Sequence, residues 1–307
     1  MSMREYAELT YTELAALSRQ RTVFLGCVSP LEVHGPHLPL GTDVFVAEEL
    51  RRRYAAALAA KHPELELIAV PPLYAGSDPL PFPGSIDVPP AVLEGHLLAL
   101  ARSLARQGFR YLLLADNHGG PRHQLAVESA ARKAWRRFGF YLIDPFGVVY
   151  RYMVQHDPEF LAITGLAPGR CGDDPDAHAG TNETSLMLAA RPELVKEEHR
   201  RLPASCPPTR STVRSVVGAV AAVLRALGAR ETAADLVHLG ETLAWVGDPQ
   251  KLPYMGSPAL ATAEAGEAMY RGHVRVMLDL MDQALHGKPV DIRPLLWAVR
   301  FLKALPS

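Results

Sequence analysis

The chain has 307 residues, 48% of them hydrophobic and 21% charged, so it can bury a sizeable core and is too apolar to stay disordered. A formal net charge of −1 gives no electrostatic reason to expect nucleic acid or an anionic membrane as partner. Cys27, Cys171 and Cys206 are widely spaced with no C-x-x-C, which reads as free thiols in a reducing compartment and not as a disulfide frame or zinc knuckle.

Met1 to Leu17 is interrupted by Arg4, Glu5, Glu8 and Glu13, so no signal-peptide core is expected. No apolar run approaches the roughly 18 residues that cross a bilayer, and the expected setting is the cytoplasm. Residues 4–18, with Leu9, Leu14 and Leu17 among polar partners, read as a helix. Thr22 to Val28 is an apolar run rich in β-formers, the pattern of a strand buried on both faces.

Directly after that strand comes Glu32-Val33-His34-Gly35-Pro36-His37-Leu38-Pro39-Leu40-Gly41-Thr42-Asp43. In extended backbone Glu32 and His34 point the same way. Gly35, Pro36, Pro39 and Gly41 forbid a helix and turn the chain, which can bring Asp43 back towards them. Mixed oxygen and nitrogen donors suit zinc, manganese or iron better than calcium. Taken alone, the stretch also reads as a Pro/Gly-rich surface loop.

Residues 44–61 are amphipathic through Val44, Ala47, Leu50, Tyr54 and Leu58, with Arg51 to Arg53 on the solvated side. A second strand is expected at 65–70, followed by Tyr74-Ala75-Gly76-Ser77-Asp78 and a Pro-rich loop. Residues 91–107 read as a helix begun by Pro89-Pro90 and closed by Gly108. Tyr111 to Ala115 is a third strand ending in Asp116-Asn117-His118-Gly119-Gly120, and a helix at 122–138 precedes a fourth strand at 139–144. Strands and helices alternating at this spacing form right-handed βαβ units around a parallel sheet. The polar clusters lie past the carboxyl ends of the strands, where open α/β sheets place their active sites.

Residues 146–176 look irregular, with Tyr150, Tyr152 and His156 on a helical segment. Ala177-His178-Ala179-Gly180-Thr181-Asn182-Glu183-Thr184-Ser185 then opens a helix that Thr181 or Asn182 can cap. Residues 208–247 are helical in character, and 258–285 reads as one long helix. The apolar tail around Leu295, Leu296 and Trp297 is expected to bury against a neighbour or a second subunit. The expected organisation is a single domain spanning 1–307.

Glu32 with His34, then Asp43, His118, and the pair His178 and Glu183 offer ligands from separated places in the chain. Such a set suffices for two metals sharing a bridging carboxylate, about 3.5–4 Å apart. His178 is then left as a proton carrier or oxyanion partner. His37 reads as a structural hydrogen-bonding residue beside the ligands. His96, His123, His199, His238 and His286 are expected at the surface. No nucleophile elbow, H-E-x-x-H, P-loop or dinucleotide fingerprint is present.

Glu32-x-His34-Gly35-Pro36-His37-Leu38-Pro39-x-x-Thr42-Asp43, Phe82-Pro83-Gly84, Asn117-His118-Gly119-Gly120, His178-Ala179-Gly180-x-x-Glu183-Thr184-Ser185 and Pro258-x-x-Ala261-x-x-Glu264-x-Gly266 together resemble the creatininase (creatinine amidohydrolase) family. The resemblance implies a three-layer α/β/α sandwich with a mostly parallel central sheet, a centre of two divalent metal ions (Zn, Mn or Fe) that activates a water, hydrolysis of a C–N amide bond, and a homo-oligomer, often a hexamer. Carried over by position, it implies that Glu32, Asp43 and His118 hold one metal and that His34, Asp43 and Glu183 hold the other. His178 is then the catalytic residue, and Ser77, Gly119 and Asp174 are the expected substrate contacts. Gly119 and Gly120 stand where creatinine-hydrolysing members carry a Tyr-Glu pair whose Glu is a ligand, so Glu183 is expected to serve that metal. Asp174 stands where a substrate-covering tryptophan is expected. These departures turn the expectation from creatinine itself towards another small, cyclic or peptide-like amide. Residues 208–247 read as a helical insertion and about 287–307 as a C-terminal helical extension. A metal-binding assembly protein without hydrolytic activity, and a metal-dependent isomerase on the same ligands, remain the alternatives.

Overall fold

The computed structural model describes residues 3–154, 157–164, 176–208 and 210–304. The chain begins with a short strand, β1 (Arg4–Glu5), and a helix, α1 (Tyr11–Ala16), in place of the continuous helix expected over 4–18. The cause is local. Thr10 Oγ1 accepts from the Glu13 backbone N–H and Glu13 accepts from the Thr10 N–H, a capping box that starts the helix there and leaves the preceding residues free to pair with the sheet.

Strand β2 (Thr22–Ser29) is buried along its whole length. After it come α2 (Thr42–Lys61), β3 (Glu66–Ala69), β4 (Leu73–Tyr74), α3 (Pro90–Arg106), β5 (Tyr111–Ala115), α4 (Pro121–Phe138) and β6 (Tyr141–Ile143). The strands pair in the order β1-β3-β2-β5-β6, with β4 alongside β2, and these pairings are parallel. Because side chains alternate along a strand, each one feeds two cores. Val23, Leu25 and Cys27 of β2 pack on one side with Leu50 and Tyr54 of α2. Phe24 and Val28 pack on the other with Leu93 and Leu97 of α3 and Ala126 and Ala130 of α4. The result is a parallel sheet between two helical layers, the α/β sandwich expected. Arg53 is less solvated than expected: it donates to both carboxylate oxygens of Glu267, at 2.7 and 2.6 Å.

The region expected to be irregular holds two helices, α5 (Phe146–Val154) and α6 (Pro158–Thr164). Helix α7 (Thr181–Ala190) is capped at Gly180, without a side-chain cap from Thr181 or Asn182. Asp176 Oδ2 instead accepts from the Asn182 backbone N–H at 3.0 Å, while Thr181 Oγ1 donates to the Ser257 carbonyl. Helices α8 (Thr212–Ala226) and α9 (Arg230–Val246) pack against each other, and α9 also reaches α5. Helix α10 (Ala263–Leu285) starts later than expected because Thr262 caps it, accepting from the Ala265 N–H at 3.1 Å. In the tail, where a helical extension is expected, Trp297–Ala304 is a 3-10 helix. Leu295 and Leu296 are buried within the chain itself, and the Arg132 guanidinium lies 4.3 Å from the centroid of the Trp297 ring. No helix among the described residues is long and apolar enough to cross a membrane.

Candidate metal centre

The carboxyl ends of β2 and β5 deliver the loops that carry Glu32, His34 and His118, and the first turns of α2 and α7 carry Asp43 and Glu183. These side chains meet. His118 Nδ1 lies 3.1 Å from Glu32 Oε2 and 3.2 Å from Asp43 Oδ2. His34 Nε2 lies 3.3 Å from Asp43 Oδ1 and 3.5 Å from Glu183 Oε2. Asp43 therefore shows one oxygen to each imidazole. His178 Nδ1 is 3.9 Å from Glu32 Oε1, and the His178 ring stands 4.4 Å from that of His34.

The far nitrogen of each imidazole is held by a carbonyl. His34 Nδ1 donates to the Glu32 carbonyl at 3.0 Å, His118 Nε2 to Ser77 at 2.9 Å and His178 Nε2 to Val33 at 2.6 Å. A carbonyl only accepts, so each of these nitrogens carries a proton and the other nitrogen of each ring is the one turned into the cluster. That is how metal-binding histidines are commonly oriented. Among the described residues, Glu32 Oε2, His34 Nε2 and Asp43 Oδ2 are buried without a hydrogen bond, which is costly unless a cation meets them. Three groups among the described residues have ligand atoms close enough to share an ion: Glu32, Asp43 and His118; His34, Asp43 and Glu183; and Glu32, His34 and His178. The donor set fits a divalent metal.

Electrostatics point the same way. Burial opposes charge on His34, but Asp43 and Glu183 carry its pKa up to about 10. Burial likewise opposes charge on His118, yet Glu32 and Asp43 raise it well above the ordinary value. Asp43 is held well below the usual carboxylate range by His34 and His118, against the effect of burial. Glu183, pushed up by burial and by the charges of Asp43 and Glu32, reaches about 8. Glu32, Asp43 and Glu183 thus draw protons onto this cluster and charge onto His34 and His118, a balance that a divalent cation would supply in their place. His178 differs: burial lowers it to about 4, so it is neutral at pH 7 with Nδ1 free to take a proton.

A further layer holds the ligands, and sequence reasoning missed it. Asp116 accepts from the His118 backbone N–H at 3.0 Å, Ser29 Oγ at 2.8 Å, His123 Nε2 at 3.0 Å and Gln124 Nε2 at 2.7 Å. Asn117 Nδ2 donates to Asp43 Oδ1 and Glu183 Oε1 at 3.2 and 3.3 Å. The signal available was an Asp-Asn pair at the end of an apolar strand. His37 Nε2 is 2.9 Å from Thr184 Oγ1, in line with a structural role. His123 and His199 are buried and not at the surface as expected, because the helix face that carries His123 packs on the Asp116 network and His199 Nδ1 donates to the Lys196 carbonyl.

Ser77 is buried, and its hydroxyl donates to the Val88 carbonyl; its tie to the site is the carbonyl that accepts from His118. A Cβ on Gly120 would lie 2.4 Å from His118 Nε2 and 2.5 Å from the Ser77 oxygen, so that bond requires glycine. Gly119 faces a cavity of ≈ 380 Å³ that also touches Asn117, Tyr150 and Glu183. His238, at the same cavity, pairs with the Tyr150 hydroxyl at 2.9 Å. Asp174 and Cys171 lie outside the described residues. Cys27 is buried in the core, which pushes its thiol up to about 12 and leaves it inert.

The family signature described as creatinine amidohydrolase matches residues 7–281. The chain belongs to the creatininase family. This family's amidohydrolases act on C–N bonds. The chain is 30% identical over 197 residues to the creatinine amidohydrolase of Pseudomonas putida, covering 61% of this chain and 72% of that one. It is 26% identical over 245 residues to the mycofactocin precursor peptide peptidase of Mycolicibacterium smegmatis, covering 79% and 77%. A solved structure named "Creatininase Mn" superposes with a TM-score of 0.59 at 20% identity, over 92% of this chain and 99% of that one. At that identity the likeness speaks for the fold alone. This creatininase-family chain thus shares the architecture and has a cluster of carboxylates and imidazoles at the mouth of its sheet.

Proposed function

We propose that this protein is a metal-dependent amidohydrolase that cleaves the C–N bond of a small or peptide-like amide with the help of two divalent ions, zinc, manganese or iron. The observation that carries the reading is Asp43, buried, with one oxygen toward His118 and the other toward His34. Glu32, Asp43 and His118 would hold one ion, and His34, Asp43 and Glu183 the other. When bound, such ions supply Lewis acidity, polarising an amide carbonyl and acidifying water. His178, neutral and fixed by Val33, takes a proton at Nδ1 as water adds to the carbonyl carbon. It returns that proton to the leaving nitrogen as the C–N bond breaks, so that water and amide become acid and amine. Asn117 steadies Asp43 and Glu183 throughout.

The third group, Glu32 with His34 and His178, favours a second reading in which His178 is itself a ligand. We also read the chain as a single domain, since α5, α9 and α10 line one cavity together with Glu183. The test is elemental analysis of the pure protein beside turnover of an amide panel. Two equivalents of metal with release of amine support the proposal. Bound metal with no turnover of any amide favours a non-catalytic role, and a product of unchanged mass favours an isomerase.

A further inference from the structure

The cavity of ≈ 380 Å³ beside Glu183 falls in the size range of sites that take drug-sized ligands. A single small ring amide would leave much of it empty. Phe146, Met153, Leu186 and Met269 give it apolar walls. Two buried polar side chains also line it, Asn182 (7% exposed) and His273 (2%). Among the described residues, Asn182 Oδ1 and His273 Nδ1 have no hydrogen-bond partner. Buried polar atoms are almost always paired, so these two mark where a ligand's polar group is received. Burial keeps His273 neutral, lowering its pKa to about 4. Among the described lining residues the one guanidinium is Arg225, which is exposed, whereas Asp176, Glu183 and Glu241 are acidic. The interior is therefore not built to receive an anion.

We infer that this cavity is the specificity subsite for a peptide-like amide, taking an apolar side chain against Phe146, Met153, Leu186 and Met269 while Asn182 and His273 pair with a neutral amide group of the same substrate. The inference rests on the hydrolase reading for the identity of the adjoining centre. It adds what the substrate must look like: larger than one small ring, not anionic where it enters, and apolar on one side.

The experiment uses the metal-loaded full chain and three probes: N-acetyl-L-phenylalanine amide, N-acetylglycine amide and N-acetyl-L-glutamic acid α-amide. The ligand-induced rise in Tm reads binding whether or not the probe is turned over, and kcat and KM are measured beside it. The phenylalanine amide should bind about 10–100-fold more tightly than the glycine amide, the factor expected for burying one aromatic side chain, and the glutamic acid amide should bind most weakly. His273→Phe, close in shape but without the ring nitrogens, should raise KM for the phenylalanine amide about 2–10-fold, with kcat and metal content unchanged. Met153→Trp, which fills the cavity from its side, should remove the preference for phenylalanine over glycine even if the His273 variant fails to fold. Equal binding of the phenylalanine and glycine amides, or a preference that survives Met153→Trp, overturns the inference. Selective binding without hydrolysis supports the subsite and counts against the hydrolase reading instead.

Discussion

Asp43 turns Oδ2 to His118 Nδ1 at 3.2 Å, and its other oxygen is the one that faces His34. A carboxylate shared in this way is the one residue common to both proposed ion sites. Asp43→Ala should therefore lower the metal content of the purified protein at both sites together, towards zero equivalents. Glu183→Ala should lower it at one. Loss of a single equivalent from the Asp43 variant would refute a bridging role.

His178 is fixed by the Val33 carbonyl and stays neutral. His178→Ala should leave two equivalents of metal in place and lower kcat by about 10²–10⁴-fold, the usual contribution of a general acid–base group. If metal is lost with activity, His178 belongs among the ligands.

Asp116 touches no ligand atom of the proposed ions, yet it holds the His118 backbone. In Asp116→Asn one acceptor oxygen becomes an NH₂ group facing donors such as Gln124 Nε2 and the His123 ring. Metal affinity, measured by competition with a chelator, should weaken about 10–100-fold, as for other outer partners of metal ligands. Unchanged affinity would make the network a matter of folding alone.

His273 is buried, and its pKa falls from the ordinary 6.5 to about 4. A group whose folded pKa is depressed adds stability that is present above 6.5 and lost as pH falls through 4. The native state should thus lose on the order of 3 kcal/mol from this residue between those limits. Urea unfolding in the presence of a chelator, at pH 7 and pH 4.5, should show a smaller drop for His273→Phe than for the unsubstituted chain. An identical drop in both would show that His273 is not the titrating group.

The two cores illustrate what a sequence reveals easily. In Thr22–Ser29 both alternating sets, Val23, Leu25, Cys27 and Phe24, Val28, are apolar, so a strand buried on both faces follows from composition without knowledge of its neighbours. The N-terminal segment shows the opposite case. Leucines at helical spacing suggested a helix over 4–18, but the Thr10–Glu13 capping box and pairing of Arg4 and Glu5 with β3 outweighed periodicity. The polar centre was legible by residue type, since Glu32, His34, Asp43, His118 and Glu183 lie in loops and helix mouths where few other roles suit them. Their supporters were not. Asp116 carries only the weak signal of an Asp-Asn pair at a strand end, and nothing local distinguishes His273 from any histidine on a long helix.

By itself, then, the order of residues determined the strands, the helices between them and the chemical kinds of side chain gathered past the strand ends, because these depend on short-range period and turn chemistry. Only the tertiary structure decided which imidazole nitrogen faces inward, which aspartate orders the His118 loop and which polar atoms are left unpaired around the cavity. Those outcomes depend on which loops and helix faces pack together, and that packing rests largely on contacts between residues distant in the chain, such as His118 with Ser77 and His178 with Val33.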